Sequence, residues 1–302
     1  MIYDIALATD WEFDFDFIDL IQKKAHSLGL TTIIINEDNL DLCFENLQNQ
    51  TLQFRFLFDR ASDTSPSFLK LQNHIHEHGG HVIEPISRIK WASDKATMHL
   101  EFLEAGIRTP FTIILPPWIE NESVFLSLSE LAQLGRPFVA KPANTTGGSI
   151  GVMENVETFE DVLSVRVHLI NDKYLLQKKV IPLEKDGKRF WFRGFFVFDE
   201  VFCTWWHDQN HTYDMLSTED VKAYGLLPIF ENVKKIAQVC KLRFFSTEIA
   251  MTIKEEFVVV DYVNESCDMR LKSKYSDGVP DVLVQSIANR IVYYIKGIEI
   301  FI

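Results

Sequence analysis

The chain has 302 residues, 47 % of them hydrophobic and 24 % charged, and a formal net charge of −13. That length accommodates two or three domains with a large core, and the composition falls in the soluble globular range. The acidic balance excludes a basic stripe able to neutralise nucleic-acid phosphates, although it leaves room for a local basic pocket.

Ile2 to Thr9 reads as a buried strand. Asp4, Asp10 and Glu12 interrupt this apolar start and no basic stretch precedes it, so a signal peptide is not expected. Phe15 to Gly29 has helical periodicity and closes on Gly29 as a C-cap. The β-branched run Thr31 to Asn36 predicts a second strand, Leu40 to Gln50 a short helix, and Gln53 to Asp59 a third strand. Ser67 to His78 predicts a helix ended by Gly79 and Gly80. This alternation predicts a small parallel sheet with crossover helices. Its turns lack a Gly-rich phosphate loop, so this part is not expected to hold a dinucleotide itself.

Lys95 to Gly106 reads as a helix, with Ser93 before it and Thr97 on its first turn as the capping pattern. Ile107-Arg108-Thr109-Pro110 then leads into a strand, Phe111 to Leu115. Pro116, Pro117 and the polar residues Glu120 to Glu122 mark a loop, and Ser127 to Leu134 a helix. The stretch from Pro137 to Val152 carries the most information. A short apolar strand ends in Lys141, and a loop of small and hydroxylated residues with Gly147, Gly148 and Gly151 follows. Glycines let backbone N–H groups approach a polyanion closely. Thr145, Thr146 and Ser149 add hydroxyl donors, and Lys141 supplies a point charge. This suits a nucleotide triphosphate, yet the loop is neither a Walker A sequence nor GxGxxG. The competing reading is an ordinary hairpin with a flexible tip.

Phe159 to Leu169 predicts a helix and Tyr174 to Val180 a strand. Phe190 to Phe198 and Glu200 to Trp206 predict a β-pair turning at Asp199 and Glu200. In the polar run that follows, His207 and His211 are four residues apart, which admits a zinc reading. Asn210 and its polar neighbours argue against a helix there, so a loop covering the substrate is the favoured reading. Glu219 to Tyr224 and Pro228 to Cys240 predict helices, and Phe244 to Ile253 with Phe257 to Val263 a second β-pair. A last helix is expected from Val282 to Ile295. No apolar run reaches membrane-spanning length. Cys43, Cys203, Cys240 and Cys267 lie far apart without a CxxC pair. Neither a zinc site nor a disulfide framework is expected, and a reducing cytoplasmic setting is.

Four features occur in one order: Lys95 opening a helix, Lys141 before a Gly-rich hairpin, Gln177-Lys178-Lys179-Val180 ending a strand, and an acidic β-pair near the C-terminus. That order resembles the ATP-grasp superfamily, which includes D-alanine–D-alanine ligase and the glutamate-adding ligases, and the resemblance covers nearly the whole chain. It implies an α/β chain that is α+β in its C-terminal half. The expected parts are a small parallel-sheet N-terminal domain (residues 1–90), a central subdomain with the Gly-rich lid hairpin (91–178) and a C-terminal catalytic subdomain (179–302). The last two would sandwich ATP between antiparallel sheets.

By the same resemblance Lys95 and Lys141 grip the nucleotide phosphates, and Thr146, Gly147, Gly148 and Ser149 close over them. A lysine at a helix N-terminus is electrostatically misplaced, and a bound phosphate resolves the mismatch. Gln177 would meet the adenine amine, the backbone of Lys178, Lys179 and Val180 the purine edge, and Glu184 the ribose. One or two Mg²⁺ ions would sit on Glu248, Asp261 and Asn264. Relatives usually show acid–x–Asn, whereas Asp261 and Asn264 are separated by two residues, which places them on opposite faces of a regular strand. A β-bulge restores the geometry, or Glu265 substitutes. Arg193, alone in an apolar strand, and Arg270, in Asp268-Met269-Arg270, would face the γ-phosphate or the acceptor. Either arginine could instead make a structural ion pair.

The reaction implied is activation of a small-molecule carboxylate as an acyl phosphate for attack by an amine or thiol. The alternatives are a kinase of a small hydroxyl-bearing substrate, as among inositol-phosphate kinases with this fold, and a nucleotide-binding module without turnover. No nucleic-acid or membrane partner is expected, and the choice between monomer and homodimer stays open.

Overall fold

Apolar strands and crossover helices alternate through the first quarter of the chain. A computed structural model describes residues 1–118, 125–144, 150–167 and 169–299. Strand β1 (Ile2–Thr9) leads to helix α1 (Phe15–Ser27), followed by β2 (Thr32–Ile35), α2 (Leu40–Gln48), β3 (Gln53–Arg60), α3 (Leu69–Glu77) and β4 (His81–Ile83). The four strands form a parallel sheet in the order β2-β1-β3-β4. Neither β4 nor the next helix, α4 (Ile86–Ser93), was legible, because a three-residue strand has no room for a period. Helix α5 (Lys95–Glu104) begins where expected, but its cap is Asp94 rather than Ser93. The Asp94 carboxylate accepts from the Thr97 N–H at 2.9 Å.

The second sheet is antiparallel. It comprises β5 (Thr112–Leu115), β6 (Phe138–Pro142), β7 (Met153–Val156) and β8 (Tyr174–Lys178) in the order β5-β8-β6-β7. Helices α6 (Leu128–Leu134) and α7 (Phe159–Arg166) cover it, each opened by a capping box, Ser127 with Glu130 and Thr158 with Asp161. Val162, Leu134, Phe138, Tyr174 and Leu176 close a core between these layers. The tip of the β6–β7 hairpin, with Thr146, Gly147, Gly148 and Ser149, lies outside the described residues.

A short hairpin, β9 (Glu184–Lys185) and β10 (Lys188–Arg189), leads into the third sheet. That sheet contains β11 (Trp191–Val197), β12 (Glu200–His207), β13 (Thr212–Met215), β14 (Phe244–Met251) and β15 (Phe257–Asn264) in the antiparallel order β13-β12-β11-β14-β15. The run expected to be a loop after Trp206 is a tight turn at 208–211 that separates β12 from β13. Helices α8 (Thr218–Ala223) and α9 (Leu227–Cys240) follow β13, and α10 (Asp281–Glu299) ends the described chain.

Two cores hold the third sheet. On one side α4, α5 and α9 contribute Ala92, Phe102, Ile229, Val233 and Ile236 against Phe192, Phe245 and Tyr262. On the other, Phe195 and Phe244 join Phe17, Phe58 and the α10 residues Val284, Ile287 and Ile291 in one continuous cluster. The parallel sheet and the C-terminal sheet are therefore packed into a shared core. Among the described residues no helix is long and apolar enough to cross a membrane.

Candidate active site

A cleft of about 680 Å³ opens between the second and third sheets. It is lined by Lys95, Lys141, Gln177, Lys178, Lys179, Val180, Arg193, Glu248, Asp261 and Asn264, all singled out in the sequence. Glu184 and Arg270 do not line it.

The strand β6 delivers Lys141. Its register against β8 sets Lys141 opposite Leu175, and Ala143 just beyond accepts a hydrogen bond from the Lys95 N–H at 2.9 Å. This bond ties the first residue of α5 to the end of β6 and brings the two lysines to one wall. Both are buried. Burial pushes the Lys95 ammonium below its ordinary value, nearby Lys141 adds to that, and Asp261 opposes it. Lys141 Nζ donates to the Val260 carbonyl at 3.1 Å and stands 3.5 Å from Asp261 Oδ1.

The opposite wall is a ladder across the third sheet. Thr204 faces Arg193, Arg193 faces Glu248, and Glu248 faces Asp261. Directly opposed residues on adjacent strands share a face, so the arginine and the two acids form one row. Arg193 pairs with Glu248, donates to Ser246 Oγ at 3.2 Å and lies over the Trp206 ring, 5.4 Å from its centre. Trp191 Nε1 donates to the second Glu248 oxygen at 3.0 Å.

The register of β15 slips between Asn264 and Asp261 and again between Asp261 and Val259. These bulges turn Asn264 to the side of Asp261, and Asn264 Nδ2 donates to Asp261 Oδ2 at 2.8 Å. The acid–x–x–Asn spacing thus ends in the side-by-side arrangement that acid–x–Asn gives on a regular strand. Glu265 takes no part in it. Glu265 is buried beyond the strand end, where burial raises its carboxyl well above the ordinary range and Arg60 only partly opposes this. Asp261 behaves otherwise. Burial alone would raise its carboxyl, but Lys141, Lys95 and Arg193 together hold it well below the usual carboxylate range. Glu248 moves up, because burial outweighs Arg193 and Asp261 adds to the shift. The cleft therefore presents one firmly ionised carboxylate, one carboxylate held by an arginine, and an amide. Oxygen donors of this kind are the set that Mg²⁺ takes.

The hinge end is built by β8. Gln177 is buried and donates through Nε2 to the Tyr262 hydroxyl at 3.1 Å. Lys178 N–H is used by the Phe111 carbonyl, whereas the N–H groups of Lys179 and Val180 take no backbone partner among the described residues.

Two residues assigned from the sequence lie off the cleft lining. Arg270 is enclosed by its own neighbours: Nη2 lies 2.7 Å from Asp268 Oδ2 and 2.9 Å from Asp277 Oδ2. Its charge is used in a structural ion pair outside the cleft. Glu184 projects from the β9–β10 hairpin and accepts from Arg189 Nη1 at 2.7 Å. Arg189, which the sequence reading missed, does line the cleft and is gripped from the other side by Asp208 at 2.7 and 2.9 Å. A signal for it was present. Arg189, Trp191 and Arg193 alternate with the fully buried Phe190 and Phe192, so the period of 2 puts all three on the cleft face. The turn at 208–211 contributes Asp208, Gln209 and His211 to the lining. His207 pairs instead with Asp214 at 2.8 Å, while His211 stacks on Trp206, so the two histidines do not converge.

Six cationic side chains (Lys95, Lys141, Lys178, Lys179, Arg189, Arg193) face four acidic ones (Glu154, Asp208, Glu248, Asp261) in this cleft. A local positive excess in a chain of net charge −13 suits a polyanion with bound cations.

Solved structures share this architecture along the whole chain. The D-alanine–D-alanine ligase of Bacillus anthracis, solved with ATP, is 13 % identical with a TM-score of 0.66, covering 98 % of both chains. The chain has the ATP-grasp fold. A RimK-domain ATP-grasp protein of Sphaerobacter thermophilus is 16 % identical with a TM-score of 0.64, over 97 % of this chain and 100 % of that one. The macrocyclase MdnC of Microcystis aeruginosa, bound to its precursor peptide, is 13 % identical with a TM-score of 0.63, over 96 % and 99 %. No protein-family model and no curated protein matches the chain. At these identities the ATP-grasp likeness is one of fold, and the cleft must carry the chemistry.

Proposed function

We propose that the chain is an ATP-dependent ligase that activates a small-molecule carboxylate as an acyl phosphate for attack by an amine or thiol. The observation that carries this is the meeting of Lys95 and Lys141 with the Arg193–Glu248–Asp261 row in one ATP-grasp cleft. The purine would lie along Lys179 and Val180, and the phosphates would run past Lys141 and Lys95. Asp261, Glu248 and the Asn264 oxygen fit Mg²⁺ by donor chemistry, with Asp261 kept ionised by its lysines. When bound, Mg²⁺ would neutralise phosphate oxygens. Lys141 would neutralise the transferred phosphoryl group from one wall. Arg193, with its charge fixed by Glu248 and Ser246, would face it from the other. Phosphoryl transfer is largely a matter of position and charge, so this arrangement needs no protein nucleophile. Arg189, Asp208 and His211 flank the open end, where an acceptor would enter.

Several solved ATP-grasp neighbours are ligases, including one with ATP bound and another with Mg and ADP, which supports this reading. The test is incubation with MgATP, pooled amino acids, hydroxy acids and polyols, with hydroxylamine in a parallel sample. A ligase releases ADP and inorganic phosphate and forms a hydroxamate from the trapped acyl phosphate. ADP with a phosphoester and no free phosphate would make the chain a kinase. No ADP under any condition would make it a binding module.

A further inference from the structure

A second cavity, of about 610 Å³, opens beside the parallel sheet at the starting ends of β3 and β4. From there β3 runs to Arg60, which donates to the Cys267 carbonyl, so the rise of a strand puts the cavity roughly 20 Å from that end of the sheet. Three histidines line it: His74 and His78 from the C-terminal turn of α3, and His81 from the start of β4. Residues four apart on a helix stand one above the other. The rings of His74 and His78 accordingly stack, with centroids 4.1 Å apart and planes 20° from parallel, whereas His81 stacks on Phe56. The His78 ring also donates through Nδ1 to the His74 carbonyl at 2.8 Å. A carbonyl oxygen only accepts, so this contact fixes the tautomer of the neutral ring: the proton is on Nδ1, and Nε2 carries a lone pair. Metal-binding histidines are held in this state, with the second ring nitrogen donating to a carbonyl or carboxylate.

We propose that His74 and His78 form a two-imidazole site for a divalent transition-metal ion of the Zn²⁺ and Cu²⁺ class. An ion takes imidazole nitrogens at about 2.0–2.1 Å, so a small splay of the two stacked rings admits one between them. Among the described residues no third histidine, cysteine or acid completes a cluster, and the ion takes its remaining ligands from water, for which the cavity has room. The setting favours a cation. Both α2 and α3 end at this cavity, Leu47 lining it from one and His74 and His78 from the other, so the negative ends of two helix dipoles meet there. Arg55, also in the lining, stands 3.8 Å from the Asp4 carboxylate, which offsets its charge. The donors set the class of ion. Imidazole suits Zn²⁺ and Cu²⁺, whereas Mg²⁺ takes oxygen, and no carboxylate lines the cavity among the described residues. The site is therefore chemically distinct from the row of acids in the cleft and independent of the nucleotide reading.

The test is calorimetric titration of the intact, metal-free chain with Cu²⁺ and with Zn²⁺, in excess Mg²⁺ so that oxygen donors elsewhere are occupied. Wild type is expected to bind Cu²⁺ more tightly than Zn²⁺, the order that nitrogen sites follow. The electron paramagnetic resonance spectrum of the Cu²⁺ form should carry the splitting of two imidazole nitrogens. His74→Ala and His78→Ala should each weaken the site by at least about 10- to 100-fold, the loss that removal of a mere supporting hydrogen bond already brings at a metal site. His78 is exposed, so its variant decides the matter if His74→Ala does not fold. His76→Ala is the control. His76 lies two residues from each partner and outside the cavity lining, and its loss should leave the affinity unchanged. Wild type that binds Cu²⁺ no better than the His74→Ala/His78→Ala double variant overturns the assignment, as does a spectrum with oxygen ligands alone. An equal loss on His76→Ala overturns it too, since it would mark a loose histidine-rich tract rather than a built pair.

Discussion

At the scale of single residues, the account rests on charge placed where burial would otherwise forbid it. Lys141 is buried, and its nearest carboxylate, Asp261, lies 3.5 Å away. Lys141→Ala should weaken MgATP binding by about 1.5–3 kcal/mol, the range for a hydrogen bond to a charged group. Calorimetry on the folded variant checks this, and unchanged affinity would count against the phosphate wall. Asp261→Asn keeps the shape and removes the charge. It should abolish ATP turnover and raise the Mg²⁺ requirement, while ATP binding in a chelator is unchanged or tighter because a negative charge near the phosphates is gone. Loss of chelated ATP binding to the same degree would indicate a structural role instead. Lys95, Lys141 and Asp261 were legible from residue type and order. That Arg270 pairs with Asp268 and Asp277 was not legible, because those acids cannot be told from solvent-facing ones in a sequence.

At the scale of elements, β11 does two jobs at once. Arg189, Trp191 and Arg193 face the cleft, and the alternate residues face α9. Gly194 is part of this second face. A Cβ added there would stand 2.5 Å from Val233 Cγ2, so α9 is seated on the bare backbone. Gly194→Ala should destabilise the chain by about 1–3 kcal/mol, the usual effect of overpacking. Urea unfolding checks this, and Val233→Ala in the same chain should recover part of the loss. Strands and helices long enough to show a period were legible, and most were found within two or three residues of their ends. Of those that were missed, β4, β9, β10 and β13 have two to four residues each and are held by their neighbours in the sheet rather than by their own pattern, and α4 has eight. The bulges in β15 were foreseen as one way to reconcile the spacing of Asp261 and Asn264. Only the partner strand fixes the register, so their place could not be read.

At the scale of the molecule, the parallel sheet is fastened to the C-terminal sheet by a buried polar joint as well as by the shared core. Arg60 makes a two-pronged pair with Asp14 at 2.6 and 2.8 Å and donates to the Cys267 carbonyl at 2.8 Å. Both side chains are almost wholly buried, so Asp14→Asn would strand a charge and should cost about 3–5 kcal/mol of stability. Glu84 lies in the same joint and accepts from the Arg243 N–H at 2.5 Å, yet burial still pushes its carboxyl up to about 6. The folded chain holds this proton more tightly than the unfolded chain, whose value is 4.5. The associated stability is full below the unfolded value and is lost as the pH rises through the folded one. Glu84→Gln should therefore stabilise the chain by on the order of 1–2 kcal/mol near neutral pH and have little effect at about pH 4. Denaturant unfolding at both pH values checks this, and an equal effect at the two would contradict it. The joint was invisible in the sequence, since Asp14, Arg60, Glu84 and Cys267 come together only through the packing of the two sheets. The central claim is that the cleft holds MgATP between its lysines and its acids, and a structure with Mg²⁺ and a non-hydrolysable ATP analogue tests it most directly. The account predicts phosphates between Lys95 and Lys141, with Asp261 or Glu248 about 2.0–2.1 Å from a metal ion. Phosphates elsewhere, or a metal touching neither acid, would contradict it.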